Sequence, residues 1–229
     1  MHLLIEGYDS GVPARDAELL YCLAQNTQNP MISCVHLFIT EDSVSSQLTF
    51  KSDRLNVIRR SQRPTVYELF EYANKELAGK VCIIANSDIV FDSTLDSVDE
   101  YLDSETVLAL SRWEHAEEAA AKSFRSKPEI HPMLNAASQD CWIFSSPIRI
   151  SDNMDFRLGM PGADNRLARL LLEQNYVVSN PADSIVALHM HQSDHRTYSA
   201  GDTVPGPYAC LEEAAVPGKV PRPILLDNF

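Results

Sequence analysis

The stretch KVCIIANSDIVFD, residues 80 to 92, decides how this chain is read. Val81, Cys82, Ile83, Ile84 and Ala85 form an unbroken apolar run, the pattern of a strand buried on both faces. Ile89, Val90 and Phe91 resume that character after an interruption by Asn86, Ser87 and Asp88. An unpaired buried carboxylate is costly, so Asp88 requires a partner: a helix end, a cation or a ligand.

Working outward, strands and helices alternate through the first half. HLLIE (2–6) reads as a strand, ARDAELLYCLAQNTQN as a helix closed by Asn29 and Pro30, ISCVHLFIT (32–40) as a second strand and RLNVIRR (54–60) as a third. PTVYELFEYANKELAG (64–79) is a helix with a Thr65–Glu68 capping box and Gly79 at the C′ position. STLDSVDEYL suggests a short helix and ETVLALSRW (105–113) a further strand. This alternation implies an α/β fold, a mostly parallel sheet flanked by helices. Residues 114–137 show no period and read as a loop of functional size. DCWIFS (140–145), YVVSNP and IVALHMH read as strands, and GADNRLARLLLEQN as a helix opened by Gly162 and Asp164. No repeat divides the chain, so a single domain over 1–198 is expected, with the tail 199–229 wrapping the surface or partly disordered.

Composition narrows the function. The 229 residues carry a net charge of −13, which repels a phosphate backbone and argues against nucleic acid as a partner. A few local arginines or a metal ion would still hold a small phosphorylated ligand. Five cysteines without close spacing suit a reducing compartment, and neither a signal peptide nor a run of ~20 apolar residues is present. A cytoplasmic location is the expectation. Oligomeric state is not readable.

In open α/β sheets, ligands bind beyond the carboxyl ends of the strands. Asn86, Ser87 and Asp88 fall at such an end, as do Glu6 and Arg112 with Trp113. Asp88 alone reads equally well as a cap for the helix that follows. LHMHQSDHRTY (188–198) adds His189 and His191, which share a face if extended, together with Arg196 and Tyr198. Imidazole plus carboxylate is a common divalent-metal set.

These segments resemble the GT-A-fold glycosyltransferases, which are Rossmann-like. GKVCIIANSDIVFD is similar to the segment ending in their Asp-Xaa-Asp motif, with Asn86 replacing the first acid. FEYANKELAGK resembles the preceding helix of family-2-like enzymes, with Asn74 at its Asn position, and GMPGADNRLARLLLEQNYVVSNP resembles the helix that carries the acceptor-side carboxylate. AELLYCLAQNTQNPMI, RPTVYELFEYAN, SQDCWIF and HMHQSDHRTY resemble a group of small viral and bacterial enzymes that includes the domain chlorella viruses use on capsid glycans.

The resemblance implies transfer of a sugar from a nucleotide-diphosphate donor, UDP by prior, to a glycan, lipid or protein acceptor. Mn²⁺ or Mg²⁺ would sit on Asp88 with His189 or His191 and clamp the diphosphate, Arg196 adding a charge-assisted bond. Asn86 carries no charge, which weakens that metal set. Asp164 is the candidate base for an inverting displacement, or else a helix cap whose pKa is depressed. Asp140 would hold donor hydroxyls. Trp142 would pack near a sugar face or belong to the core. Arg15 with Glu18 reads as a surface ion pair, or as a group near the base or ribose. Arg63 borders the nucleotide base. Asn165 and Arg166 fall on the acceptor side, Arg166 orienting Asp164 or facing water. Two other functions fit the pattern: a sugar-nucleotide nucleotidyltransferase, though EGYDSGVPARD lacks a dense Gly/basic loop, and a non-catalytic carbohydrate-binding domain.

Overall fold

The structure, a computed structural model, describes residues 1–43, 46–114, 122–123, 138–190, 199–212 and 217–227. Seven strands make the central sheet: β1 (His2–Glu6), β2 (Cys34–Thr40), β3 (Leu55–Arg60), β4 (Val81–Ala85), then β6 (Thr106–Leu110), β9 (Cys141–Ser145) and β10 (Val177–Ser179). They lie in the order β10-β6-β9-β4-β1-β2-β3. All neighbours run parallel except β9, which is antiparallel to both β4 and β6. The chain is thus α/β and Rossmann-like, as its alternation predicts.

Helices cover both faces. α1 (Pro13–Gln28) starts with Pro at its first position, where the missing N–H costs nothing. α2 (Val66–Glu76) carries the Thr65–Glu68 capping box in full. Its C-cap is Leu77, so Gly79, at φ 77°, lies two residues beyond the cap rather than at C′. α3 (Val98–Tyr101) is a single turn preceded by a 3₁₀ turn, Ser93–Ser97. α4 (Ala163–Glu173) follows Gly162, its N-cap, at φ 76°.

Strand alternation divides the core between the two faces. Leu4, Phe38, Trp142 and Phe144 pack with Phe70 of α2 and Leu167 and Leu171 of α4. Leu3, Ile5, Leu37 and Ile143 pack on the other face with Leu23 of α1 and Val98 of α3.

The interrupted stretch is not one bent strand. Ala85 ends β4 in the large sheet, and β5 (Ile89–Phe91) belongs to a second, four-stranded sheet. The expected strand over 105–113 divides the same way: β6 stops at Leu110, and Trp113 opens β7 (Trp113–Glu114). β8 (Lys122–Ser123) and β11 (Ala187–His189) complete the second sheet. α1 holds β5 in place, because Asn26 Nδ2 donates to the Ile89 carbonyl at 2.8 Å while its Oδ1 accepts from Phe91 N–H at 3.1 Å.

β12 (Tyr208–Cys210) and β13 (Ile224–Leu226) form an antiparallel pair, and Ala209 and Leu211 enter the core beside α4. Among the described residues no helix is long and apolar enough to cross a membrane, and all five cysteines are free.

Candidate functional site

Register builds the site. Cys141, the first residue of β9, pairs with Ala85 on one side and Leu110 on the other. Because β9 runs against its neighbours, the residues preceding it arrive at their carboxyl ends. Asp140 N–H donates to the Leu110 carbonyl and Asn86 N–H to the Asp140 carbonyl, each at 3.0 Å. The breaks after β4 and β6 therefore flank Asp140 at one level of the sheet. There Asn86 Nδ2 donates to Asp140 Oδ1 at 2.8 Å, and Arg112 Nη1 stands 3.1 Å from each carboxylate oxygen.

A cavity of about 640 Å³ opens over these ends, within the range of small-ligand sites. Glu6, at the end of β1, forms a bidentate ion pair with Arg63, Nη2 donating to Oε2 at 2.9 Å. Ser87 Oγ donates to the Glu6 carbonyl, tying the break after β4 to β1. Arg15 is not a surface residue. It is 4% exposed, reaching Glu18 at 3.0 Å, the Tyr8 hydroxyl at 3.3 Å and Asp88 Oδ2 at 2.6 Å. β11 pairs His189 with Ile89, next to Asp88, so His189 Nε2 lies 3.3 Å from the same oxygen. Asp88 caps no helix; Asp92 does so instead, accepting from Thr94 N–H at 2.9 Å. Burial alone would raise the Asp88 carboxyl, but His189 and the Arg15 guanidinium outweigh it and hold the group well below the usual carboxylate range.

The far wall carries Asp164 in the first turn of α4, with Asn165 beside it. Asp164 does not cap; Gly162 holds that position. Its Oδ1 accepts from Asn165 N–H at 2.9 Å and its Oδ2 from Gln139 N–H at 3.2 Å. The expected depression of its pKa is reversed. Burial, then the charge of Asp140, pushes it up to about 6, against the opposing pull of those N–H groups and the Ser138 hydroxyl.

Several expected site residues lie elsewhere. Asn74 clamps the segment after β9, donating to the Ile148 carbonyl and accepting from Ile148 N–H, both at 2.7 Å. Its amide is spent on backbone and does not line the cavity. Trp142 is a core residue, 1% exposed, because alternation along β9 points it to the face covered by α2 and α4. Arg166 does not line the cavity; its Nη1 donates to the Pro207 carbonyl at 3.1 Å. His191, Arg196 and Tyr198, with the loop 115–121 and 124–137, lie outside the described residues. The sequence reading missed Tyr8, Gln139 and the turn Gly159–Gly162, all of which line the cavity. Tyr8 was signalled only by its place just after β1; Gln139 acts through its backbone, which no side-chain pattern reveals.

Of the expected metal set, Asp88 and His189 meet at 3.3 Å, and His191 lies outside the described residues. Arg15 already stands as the cation at Asp88 Oδ2. A dication ~4 Å from a guanidinium is repelled by roughly 8 kcal/mol at an effective dielectric of about 20. Among the described residues, no three His, Cys, Asp or Glu side chains come together to hold a metal ion.

No protein-family model matches the chain, and no curated protein matches it in sequence. Among solved structures, it is similar to one assigned as a glucose-1-phosphate thymidylyltransferase from Bacillus anthracis, in complex with a sucrose. The two are 8% identical, with a TM-score of 0.45 over 79% of this chain and 87% of that one.

Proposed function

We propose that this chain transfers a sugar from a nucleoside-diphosphate donor, UDP being the first to test, to a hydroxyl group of a glycan, lipid or protein acceptor. The observation that carries the reading is Asp164: a carboxyl at the cavity wall with a pKa near 6, ionised at neutral pH yet still basic enough to take a proton. The acceptor oxygen attacks the anomeric carbon, its proton passes to Asp164, and the bond from that carbon to the diphosphate oxygen breaks with its electron pair leaving on the diphosphate. A single displacement inverts the anomeric centre. Arg63 and Arg112 are the more open cavity guanidiniums, at 39% and 17% exposure against 5% for Arg15, and they supply charge-assisted bonds to the departing diphosphate. No step is routed through a metal ion.

Asp164 also favours a hydroxyl acceptor over nucleotidyl transfer. A sugar phosphate is already an anion at neutral pH and needs no base, whereas a hydroxyl does. The test is product analysis with a panel of nucleotide sugars and simple acceptors, in parallel with nucleoside triphosphate plus sugar 1-phosphate. Release of nucleoside diphosphate, lost in Asp164→Asn, supports the proposal. Pyrophosphate release in the second arm assigns nucleotidyl transfer instead. Binding without turnover in either arm leaves a carbohydrate- or nucleotide-binding domain.

A further inference from the structure

Within the turn ahead of Asp164, Ala163 N–H donates to the Met160 carbonyl at 3.1 Å. Gly159 and Gly162 both adopt left-handed backbone, at φ 74° and 76°, and glycine loses the most conformational freedom on ordering. Further contacts to this turn come from residues 204–210. Val204 N–H donates to the Pro161 carbonyl at 2.9 Å. The Tyr208 ring lies so close over Gly162 that a Cβ there would stand 3.2 Å from Cε1 and 3.2 Å from the Val204 oxygen. The Tyr208 hydroxyl donates to that same oxygen at 2.6 Å. Arg166 reaches the Pro207 carbonyl at 3.1 Å, and Asn165 Nδ2 the Ala209 carbonyl at 3.2 Å. The segment is itself anchored by buried Ala209 and by the pairing of β12 with β13.

We propose that residues 204–210 are a positioning element of the site, and that Tyr208, which lines no part of the cavity, holds Asp164 in place through the Gly162 turn. Asp164 is then gripped from two sides: from the sheet by Gln139 N–H, and from α4 by a first turn that the C-terminal segment clamps. The charged and titratable groups facing it are Asp140, with Arg112 paired to it, and the Cys210 thiol of β12. Loosening the clamp admits water to the carboxyl and returns it toward its ordinary value. The effect on turnover rests on the base role given to Asp164 above; the clamp does not.

Carboxyl-carbon NMR titration of Asp164 needs no substrate and tests the clamp directly. In wild type the midpoint is expected near 6. In Tyr208→Ala it is expected to fall by about one pH unit or more, while Tyr208→Phe, which keeps the ring over Gly162, stays within about 0.3. In turnover, Tyr208→Ala is expected to lower kcat by about tenfold with donor KM within about twofold of wild type. An unchanged midpoint in a folded Tyr208→Ala overturns the proposal. If that variant does not fold, Arg166→Ala replaces it, with a smaller shift of the same sign expected and none overturning it. A midpoint shift in a protein that transfers no sugar leaves the clamp standing and removes the transferase reading. Transfer with no shift does the reverse.

Discussion

Arg15 and Asp88 are 73 positions apart in the chain, yet Nη2 of one stands 2.6 Å from Oδ2 of the other with both side chains buried. The pair joins α1 to the break after β4. Removing Arg15 leaves the Asp88 charge buried with His189 still 3.3 Å away, which costs about 3 kcal/mol, the low end for a broken buried pair. Arg15→Met is expected to lower stability by about that much in chemical unfolding. A double-mutant cycle with Asp88→Asn should return a coupling energy above about 1 kcal/mol. A coupling near zero would show that the contact is incidental.

Manganese by itself should leave the protein unaffected. With Arg15 at Asp88, Mn²⁺ without nucleotide is expected to move the melting temperature by less than about 1 °C, since only ligand binding to the native state stabilises it. A metal-induced rise that Asp88→Ala abolishes would restore the carboxylate–histidine metal set.

Asp164 sets two pH dependences. As a base it must be ionised, so kcat/KM is expected to fall as pH drops through about 6. Its folded pKa lies above its unfolded one, so its contribution to stability is present in full below the ordinary carboxyl value of 3.8 and is lost as pH rises through about 6. The stability difference between wild type and Asp164→Asn should drift in that direction between these values and level off above them. A flat difference would mean that the carboxyl is not raised.

His36 works in the opposite sense. It is 4% exposed, beneath α2, with Nδ1 3.0 Å from the Tyr72 hydroxyl and Nε2 3.0 Å from His2 Nδ1. Burial, then His2, lowers its pKa to about 4 from 6.5. Stability from the neutral ring is present above 6.5 and lost as pH falls toward 4, about 3 kcal/mol at most. His36→Leu should flatten the fall in urea midpoint between those values; an equally steep fall would place the acid sensitivity elsewhere.

Asn74 is expected to matter for stability and not for the ligand. Losing both bonds to Ile148 should cost about 2 kcal/mol in Asn74→Ala, at about 1 kcal/mol per net hydrogen bond. Nucleotide affinity measured by calorimetry should remain at the wild-type value, and a tenfold loss would return Asn74 to the site.

Much of the framework was legible because it depends on local rules. The Thr65–Glu68 box and the apolar runs of β1, β2 and β4 need only neighbours in sequence to be recognised. Asn86, Ser87 and Asp88 were recognised as a strand end because polar groups inside an apolar run must meet something. The choices between roles could not be read in the same way. Asp88 meets Arg15 and His189, and Trp142 packs with residues of α2 and α4, all distant from it in the chain.

The sequence alone determined that polar residues would gather at the carboxyl edge of a parallel sheet, because periodicity and capping are encoded in runs of a few residues. Only the tertiary structure decided which charges meet. It placed Arg15 and His189 at Asp88, and set Asp140 close enough to raise Asp164. The reason is physical: Coulomb energy and desolvation depend on separation and burial in space, and neither is a function of distance along the chain.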